Sequence, residues 1–395
     1  MLLIEAVFQG ATYLINPLIS NYVMYLGSSL AVGGFVAGLV ASSSLAVRPV
    51  TGWVADRLSK TVLLVVAAAL FTVSAFGCAF APSVVWVGLF RVVQGVAFAF
   101  RSAVVVSLVS VVVPQSHLGR AVGWIGVVTT ASCAIAPSVA VGVESHVGNF
   151  ACFLLAGVLF AVGLVLAVLF ALSMSASVPQ GTTRHAKGHS GRSAFRVCDL
   201  WYAPAVPYSV LAALSGVPHG INVSLLLVVG DYRGMTSISL YFALYAVSAL
   251  VARPLAGRLC DTRGFGVVVV PALLVELAGV AALVVMGSLA VVALAGVLIG
   301  VGQGSVYSVL QAEAVRGAGE RESGRASNTF YLGPDINMGF SPLLGGMVMQ
   351  RAGVTALYVV CFCFVFGALV LFILLRQRSV FASMAAKDLL TNECR

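Results

Sequence analysis

Charge is what this sequence has least of. Of 395 residues only 9% are Asp, Glu, Lys or Arg, against 60% apolar. A water-soluble domain carries roughly 25% charged residues, so the chain cannot cover a surface that faces water. Alternation is missing too: runs such as TVLLVVAAALFTVSAFGCAFA (61–81) are continuous, whereas the strands of a membrane barrel alternate apolar with polar. The eight cysteines (78, 133, 152, 198, 260, 361, 363 and 394) show no metal-ligand spacing, and Cys361 and Cys363, two apart on a helix, point to different faces. All eight map to apolar spans or to segments expected in the cytoplasm, where disulfides rarely persist. The first apolar segment has neither a basic leader nor a small-residue cleavage site, so it reads as a span and not as a signal peptide. An embedded enzyme would need a nucleophile–base pair or a metal cluster at depth. The one histidine inside a span, His219, has no evident partner, so the chain is read as a non-enzyme without a cofactor.

What the chain does have is apolar length. Its mean hydropathy is +1.06, and it supplies many runs of about 20 apolar residues, enough for a helix to cross a bilayer. Helices are the form that satisfies its own backbone without water. Turns and charge clusters mark roughly twelve spans, near 2–22, 31–53, 61–81, 84–112, 120–142, 150–172, 203–227, 237–256, 266–287, 289–312, 328–349 and 355–376. The expected fold is an all-α integral membrane protein of twelve transmembrane helices in two six-helix bundles.

The net charge of +9 is not a nucleic-acid footprint, because it lies on one side. Arg57, Lys60, Arg120, Arg184, Lys187, Arg192, Arg196, Arg258, Arg263, Arg316, Arg321, Arg325, Arg376, Arg378, Lys387 and Arg395 fall in loops of one side, and only Arg233 and Arg351 in loops of the other. Arg48, Arg91, Arg101 and Arg253 lie within spans or at their ends. That asymmetry is the positive-inside rule, and it puts both termini in the cytoplasm.

Sliding the sequence by 205 residues superposes polar landmarks. Arg48, Pro49, Gly52 and Asp56 fall on Arg253, Pro254, Gly257 and Asp261; Gly119–Ala121 fall on Gly324–Ala326, and Pro137 on Pro342. Gln94–Gly95 meets Gln303–Gly304 only after a further slip of four residues, about one helical turn. The halves therefore read as parallel repeats: a bundle over 1–172, a linker over 173–202, a second bundle over 203–378 and a cytoplasmic tail over 379–395. The linker's Ser, Gly, Thr and basic residues suit a flexible tether. His185 and His189 sit four apart within it and are read as solvated. Phe195, Leu200, Trp201 and Tyr202 form an interfacial lead-in to span 7.

The loop copies AVRPVTGWVADRLSK (46–60) and VARPLAGRLCDTRG (251–264) carry the most specific pattern, together with Arg91 and Gly95 in RVVQG. On these residues the chain resembles the major facilitator superfamily, and within it the bacterial drug and metabolite proton antiporters. The family loop reads Gly-x-x-x-Asp-Arg/Lys-x-Gly-Arg/Lys. Here Gly52, Asp56, Arg57 and Lys60 match, with Ser59 for glycine; Gly257, Asp261, Arg263 and Gly264 match, with Thr262 for the first basic residue. The resemblance implies a gate: glycines where helices of the two halves approach, prolines that bend the preceding helices, and Asp56 and Asp261 near helix N-termini. Arg57 and Arg120, or Arg258 and Arg325, are the arginines at hand to pair with them. It further implies a proton-coupled secondary transporter of the bacterial inner membrane, monomeric, with a small solute, protons and lipid as partners. The family's Gly-Pro and Gly-Gly in span 5 are replaced by AIAPSVAVG (134–142), while span 11 keeps PLLGG (342–346). Efflux is thus the leading direction and uptake the alternative. A non-transporting sensor on the same fold is a third reading.

Charges at membrane depth are functional candidates by default, since each costs at least roughly 2.5–3.5 kcal/mol to insert. Arg101 lies about 15 Å beyond Arg91 along span 4 and about 280° around it. It is expected either to contact a negative group of the solute in a central cavity or to pair with Glu5. Asp335, early in span 11, is expected beside the interface of the halves as proton carrier, ion-pair partner or cap. Glu276 in span 9 is expected to face lipid or a neighbouring helix. Glu5 has four residues before it, whereas span 1 of the family begins further upstream of INPLISNY (15–22); counted from Met1, Glu5 is expected near the cytoplasmic rim. These carboxyls, with Arg91, are the proton-coupling candidates. His219 with Asn222, in GVPHGIN, and the glutamines Gln94 and Gln303 complete the expected cavity, because broken helices expose polar groups near transporter binding sites. Glycines at 296, 300, 302 and 304 mimic a dinucleotide fingerprint, but no strand precedes them and their spacing makes a packing face.

Overall fold

Each apolar run closes on itself as a helix, because a backbone amide without water must find its partner inside its own segment. The computed structural model describes residues 1–57, 59–112, 118–177, 202–235, 237–316, 318 and 323–377. Their helices are α1 (Leu2–Ile15), α2 (Ile19–Tyr25), α3 (Leu30–Arg57), α4 (Lys60–Ala79), α5 (Val84–Val112), α6 (Leu118–Val147), α7 (Asn149–Ser177), α8 (Val206–Ser215), α9 (Val217–Arg233), α10 (Leu240–Arg263), α11 (Phe265–Val285), α12 (Leu289–Arg316) and α13 (Ser323–Gln377). A 3₁₀ turn, Ala203–Ala205, leads into α8.

Ten helical runs among the described residues are long and apolar enough to cross a bilayer, or eleven with α1 and α2 taken as one span bent by 41°. The run Ala203–Arg233 counts once, as a 31-residue crossing that breaks at Gly216 between α8 and α9. The run Thr329–Gln377 has 49 residues, about 73 Å of helix against a hydrocarbon thickness of ~30 Å. It is interrupted at Gly353, with φ 81°, so it makes two crossings and completes the expected twelve. Gly148, 205 residues earlier, has φ 89°. The same left-handed turn, which glycine alone adopts without strain, thus ends span 5 and span 11. Several helices overrun their expected ends, α6 to Val147 and α10 to Arg263, because a helix continues into the polar region where apolarity no longer marks it.

Helices α1 to α7 pack on one another, with α4 against α5 and α7, α1 against α6 and α7, and α3 against α5. Helices α8 to α13 do the same, with α10 and α11 against α12 and α13 against α8, α9 and α11. Between the halves run two seams, α3 on α13 and α6 on α10, and α2 meets α9 at one end. Phe8, Phe71 and Phe160 form an aromatic knot in the first half with centroids 5.0–5.6 Å apart. Outward, Val62, Phe80, Leu172, Leu255 and Phe366 are exposed, a surface for lipid and not for water.

The glycines correct the repeat register within span 4. A Cβ on Gly95 would collide with the Ser43 hydroxyl and the Val40 carbonyl, and one on Gly300 with the Ser248 hydroxyl and the Tyr245 carbonyl. Every member of the second set is its counterpart plus 205. Gly95 therefore answers Gly300, and the four-residue slip that matched Gln94 to Gln303 followed residue identity and not packing. The linker from 178 to 201, with His185 and His189, and the tail from 378 onward lie outside the described residues.

Candidate solute site between the halves

The site begins at the first seam. Arg48 of α3 and Asp335 of α13 form an ion pair across it, with side chains 22% and 14% exposed. The approach is close because the seam is made of small groups: a Cβ on Gly34 would meet the Pro342 carbonyl, and one on Gly38 the Gly339 carbonyl. Further along, the Ala31 amide donates to Gln350 Oε1 at 3.2 Å, and Asn21 donates to Asp231 Oδ2 at 3.1 Å. These last two contacts tie the halves at the end where α2 meets α9.

At the second seam the polar residues come mainly from the C-terminal half. Tyr245 of α10 donates to Gln303 Oε1 of α12 at 2.7 Å, and the His219 ring stacks on Tyr245 with centroids 4.9 Å apart. His219 and Gln303, expected to line a cavity, are thus brought together by a tyrosine that was not singled out. Arg253 of α10 is half-buried, and its charge reaches Tyr13 and Cys133 of the first half as well as His219, Tyr245, Tyr307 and Tyr331 of the second. Towards α13, Gln311 donates to the Tyr331 hydroxyl at 2.7 Å, and across the N-terminal half Gln9 donates to Thr129 at 3.3 Å.

Other candidates lie inside one half. Arg101 is 4% exposed and donates to Glu5 Oε2 at 2.6 Å, with its guanidinium 5.5 Å from the Phe98 centroid and 6.0 Å from that of Phe71. Glu5, in the first turn of α1, is buried at 2% exposure, and Arg101 is engaged by it. Arg91 is clamped in the kink of span 1: both terminal nitrogens donate to Asn16 Oδ1 at 3.1 Å, one also to the Ala37 carbonyl and the other to Gln94 Oε1 at 2.7 Å. Gln94 thereby serves Arg91. Asn222 is equally occupied, donating to Tyr241 at 2.8 Å and accepting from Tyr358 at 3.1 Å. Glu276 is fully buried, and neither carboxylate oxygen has a hydrogen-bond partner among the described residues. It packs on α12 at Gly302, where a Cβ would meet its own, so it faces a neighbouring helix and not lipid.

Of the gate pattern, Asp261 pairs with Arg316 at the end of α12, at 2.7 Å, and Arg316 also holds Glu313 at 2.7 Å. The expected arginine at hand, Arg258, is not the partner observed. A Cβ on Gly257 would meet nothing within 4 Å, so no close helix contact explains that glycine. Arg263 ends α10 in the last turn. The side chains of Asp56, Arg57, Arg120 and Arg325, and the surroundings of Gly52, lie outside the described residues.

Apolar helices long enough to cross a bilayer, packed as two sets that meet along seams carrying the Arg48–Asp335 pair and Tyr245, have the architecture of a membrane solute carrier. The family model described as Major Facilitator Superfamily matches residues 1–333 and again 208–388, and the chain belongs to that superfamily. The uncharacterized MFS-type transporter YhhS of Escherichia coli K12 is 26% identical over 374 residues, 90% of this chain and 87% of its own length. A bacterial homologue of the human lysosomal transporter Spinster, solved inward-facing and unoccupied, superposes with a TM-score of 0.73 at 16% identity, covering 99% of this chain and 96% of its own. A POT family transporter in complex with a thioalcohol-conjugated peptide superposes at 0.75 with 11% identity over 95% of each chain. These are transporters and not enzymes, and the chain is a multi-pass membrane transporter of the same fold.

Proposed function

We propose that the chain is a proton-coupled exporter of a small solute, working by alternating access to a site between its halves. The observation that carries this is the Arg48–Asp335 pair. It joins two bodies that must separate for the site to open to each side in turn, and one partner is a titratable carboxyl. A proton on Asp335 releases Arg48 and loosens the seam; its loss restores the pair. Glu276, buried with no hydrogen-bond partner among the described residues, is a second proton store. Export follows from the resemblance to the antiporter branch, and cytoplasmic termini in an inner membrane from the arginine distribution. The bundles 1–172 and 203–378 are the units that rock, joined by the linker 173–202 and followed by the tail 379–395, and Asp56 and Asp261 with their arginines latch the cytoplasmic side. The protein acts as a monomer. Uptake is the second reading, favoured by Ala136 standing where antiporters place glycine before Pro137.

The test is flux in proteoliposomes that carry a pH-sensitive dye. A transported solute moves protons the opposite way in the wild type, while Asp335→Asn exchanges solute without proton movement and Glu276→Gln weakens the coupling. Flux that a protonophore leaves unchanged removes proton coupling, and proton movement in the same direction as the solute converts export to uptake.

A further inference from the structure

The two seams are equivalent under the 205-residue repeat, yet they are charged differently. Arg48 on α3 corresponds to Arg253 on α10, and Asp335 on α13 corresponds to position 130 on α6, a threonine. Helices α6 and α10 do form the second seam. The Thr130 hydroxyl is satisfied within its own helix, donating to the Gly126 carbonyl at 2.9 Å. Arg253 therefore lacks the carboxylate that its counterpart has. No ion pair or hydrogen bond is made by it among the described residues, and its Nε is buried without a partner. It lies three residues before the expected end of its span, 237–256, with its side chain half-buried, and a guanidinium so placed calls for a partner. Its charge reaches side chains of both halves, Tyr13 and Cys133 on one and His219 and Tyr307 on the other.

We propose that Arg253 is the anchor for a carboxylate-bearing organic monoanion, the solute supplying the negative charge that Thr130 does not. This rests on the reading of the chain as a transporter with a site between its halves. The valence follows from the single free guanidinium. Of the four arginines within the spans or at their ends, Arg101 is engaged by Glu5 and Arg48 by Asp335. Arg91 is held by neutral hydrogen bonds to Asn16, Gln94 and Ala37, so that only Arg253 has no partner among the described residues. A planar guanidinium takes a carboxylate through two parallel hydrogen bonds. The His219–Tyr245 stack offers a flat wall for the body of the solute beside it. A dianion would carry one charge too many, and a cation would be repelled.

The experiment measures thermal stabilisation of the purified full-length protein in detergent by hippurate and hexanoate, against the neutral amide of hippurate, the benzamidinium cation and the dianion phthalate. The monoanions raise the melting temperature and the other probes do not. Arg253→Gln weakens hippurate binding about tenfold or more. Thr130→Asp gives Arg253 an internal partner like that of Arg48, so it abolishes the hippurate effect without lowering the melting temperature of the free protein, which guards against a variant that merely misfolds. Equal stabilisation by the amide, no effect of any monoanion, or a hippurate effect kept in both variants overturns the assignment. Proteoliposomes loaded with labelled hippurate separate this from the transport reading. Binding that needs Arg253 without any flux keeps the anion site and removes transport, whereas wild-type flux in Arg253→Gln keeps transport and removes Arg253.

Discussion

The buried residues divide by whether their charge is spent. Arg101 and Glu5 spend theirs on each other at 2.6 Å, with side chains 5% and 2% exposed. Removing one partner strands the other in an apolar interior, which costs about 3–5 kcal/mol, whereas removing both is far milder. Glu5→Gln and Arg101→Gln should each destabilise the protein by that order, and the exchange Glu5→Arg with Arg101→Glu should recover most of it, read by denaturant titration in mixed micelles. A pair that binds solute instead would leave stability nearly unchanged in the single variants. The sequence showed that these charges were exceptional, since any ionised residue among so much hydrocarbon stands out. It did not show whom they meet, because a helix gives each residue a height but only tertiary packing gives it a direction. Asn222 was expected at a cavity because GVPHGIN reads as a broken helix, and Gln94 because a glutamine recurs in both halves, yet each has its hydrogen bonds inside a half. Arg253 was placed within a span and then passed over as one element of a loop pattern. The signal that would have found it was the threonine at 130 opposite the acid at 335.

At the scale of elements, the α3–α13 seam is closed by glycines, Gly34, Gly38 and Gly339, at which an added Cβ would collide with the facing helix. Gly38→Leu would push a side chain into the Gly339 carbonyl, and the seam cannot yield locally because a main-chain atom is the obstacle. The populations of conformations should shift towards those in which the seam is open. Spin labels at positions 31 and 350, whose parent residues are hydrogen-bonded across it, should report a longer separation in Gly38→Leu than in the wild type. An unchanged distance distribution would mean that the seam is not the moving part. The helices themselves were legible because span length is dictated by bilayer thickness, and α5 matches its expected limits of 84 and 112. Their ends were less so where the helix outlasts the hydrocarbon. The register of span 4 was misjudged because Gln–Gly recurs by composition, whereas the pairing of Gly95 with Ser43 and Gly300 with Ser248 exists only once the helices are packed.

The whole molecule is a repeat whose halves share their packing but not their charges. Glu276 stands 205 residues after Phe71, and Asp335 after Thr130, so duplicated scaffolding has been given one-sided chemistry. Each half has its own network of helix contacts, and two long seams with the small α2–α9 contact join them. The tether should therefore matter for assembly mainly by keeping the halves near one another, as a covalent link raises the effective concentration of two pieces. Confinement to one membrane raises the encounter of two separate pieces in the same way. Halves expressed as residues 1–187 and 188–395 in one cell should then co-purify through a tag on either piece. Solute exchange should be retained at a reduced level, set by the fraction assembled. Asp335→Arg in the second piece, which places like charges across the first seam, should lower the yield of the complex. Arg48→Asp in the first piece should restore it. Pieces that fold but never associate, or an association indifferent to this exchange of charge, would show that the linker and not the seams holds the molecule together.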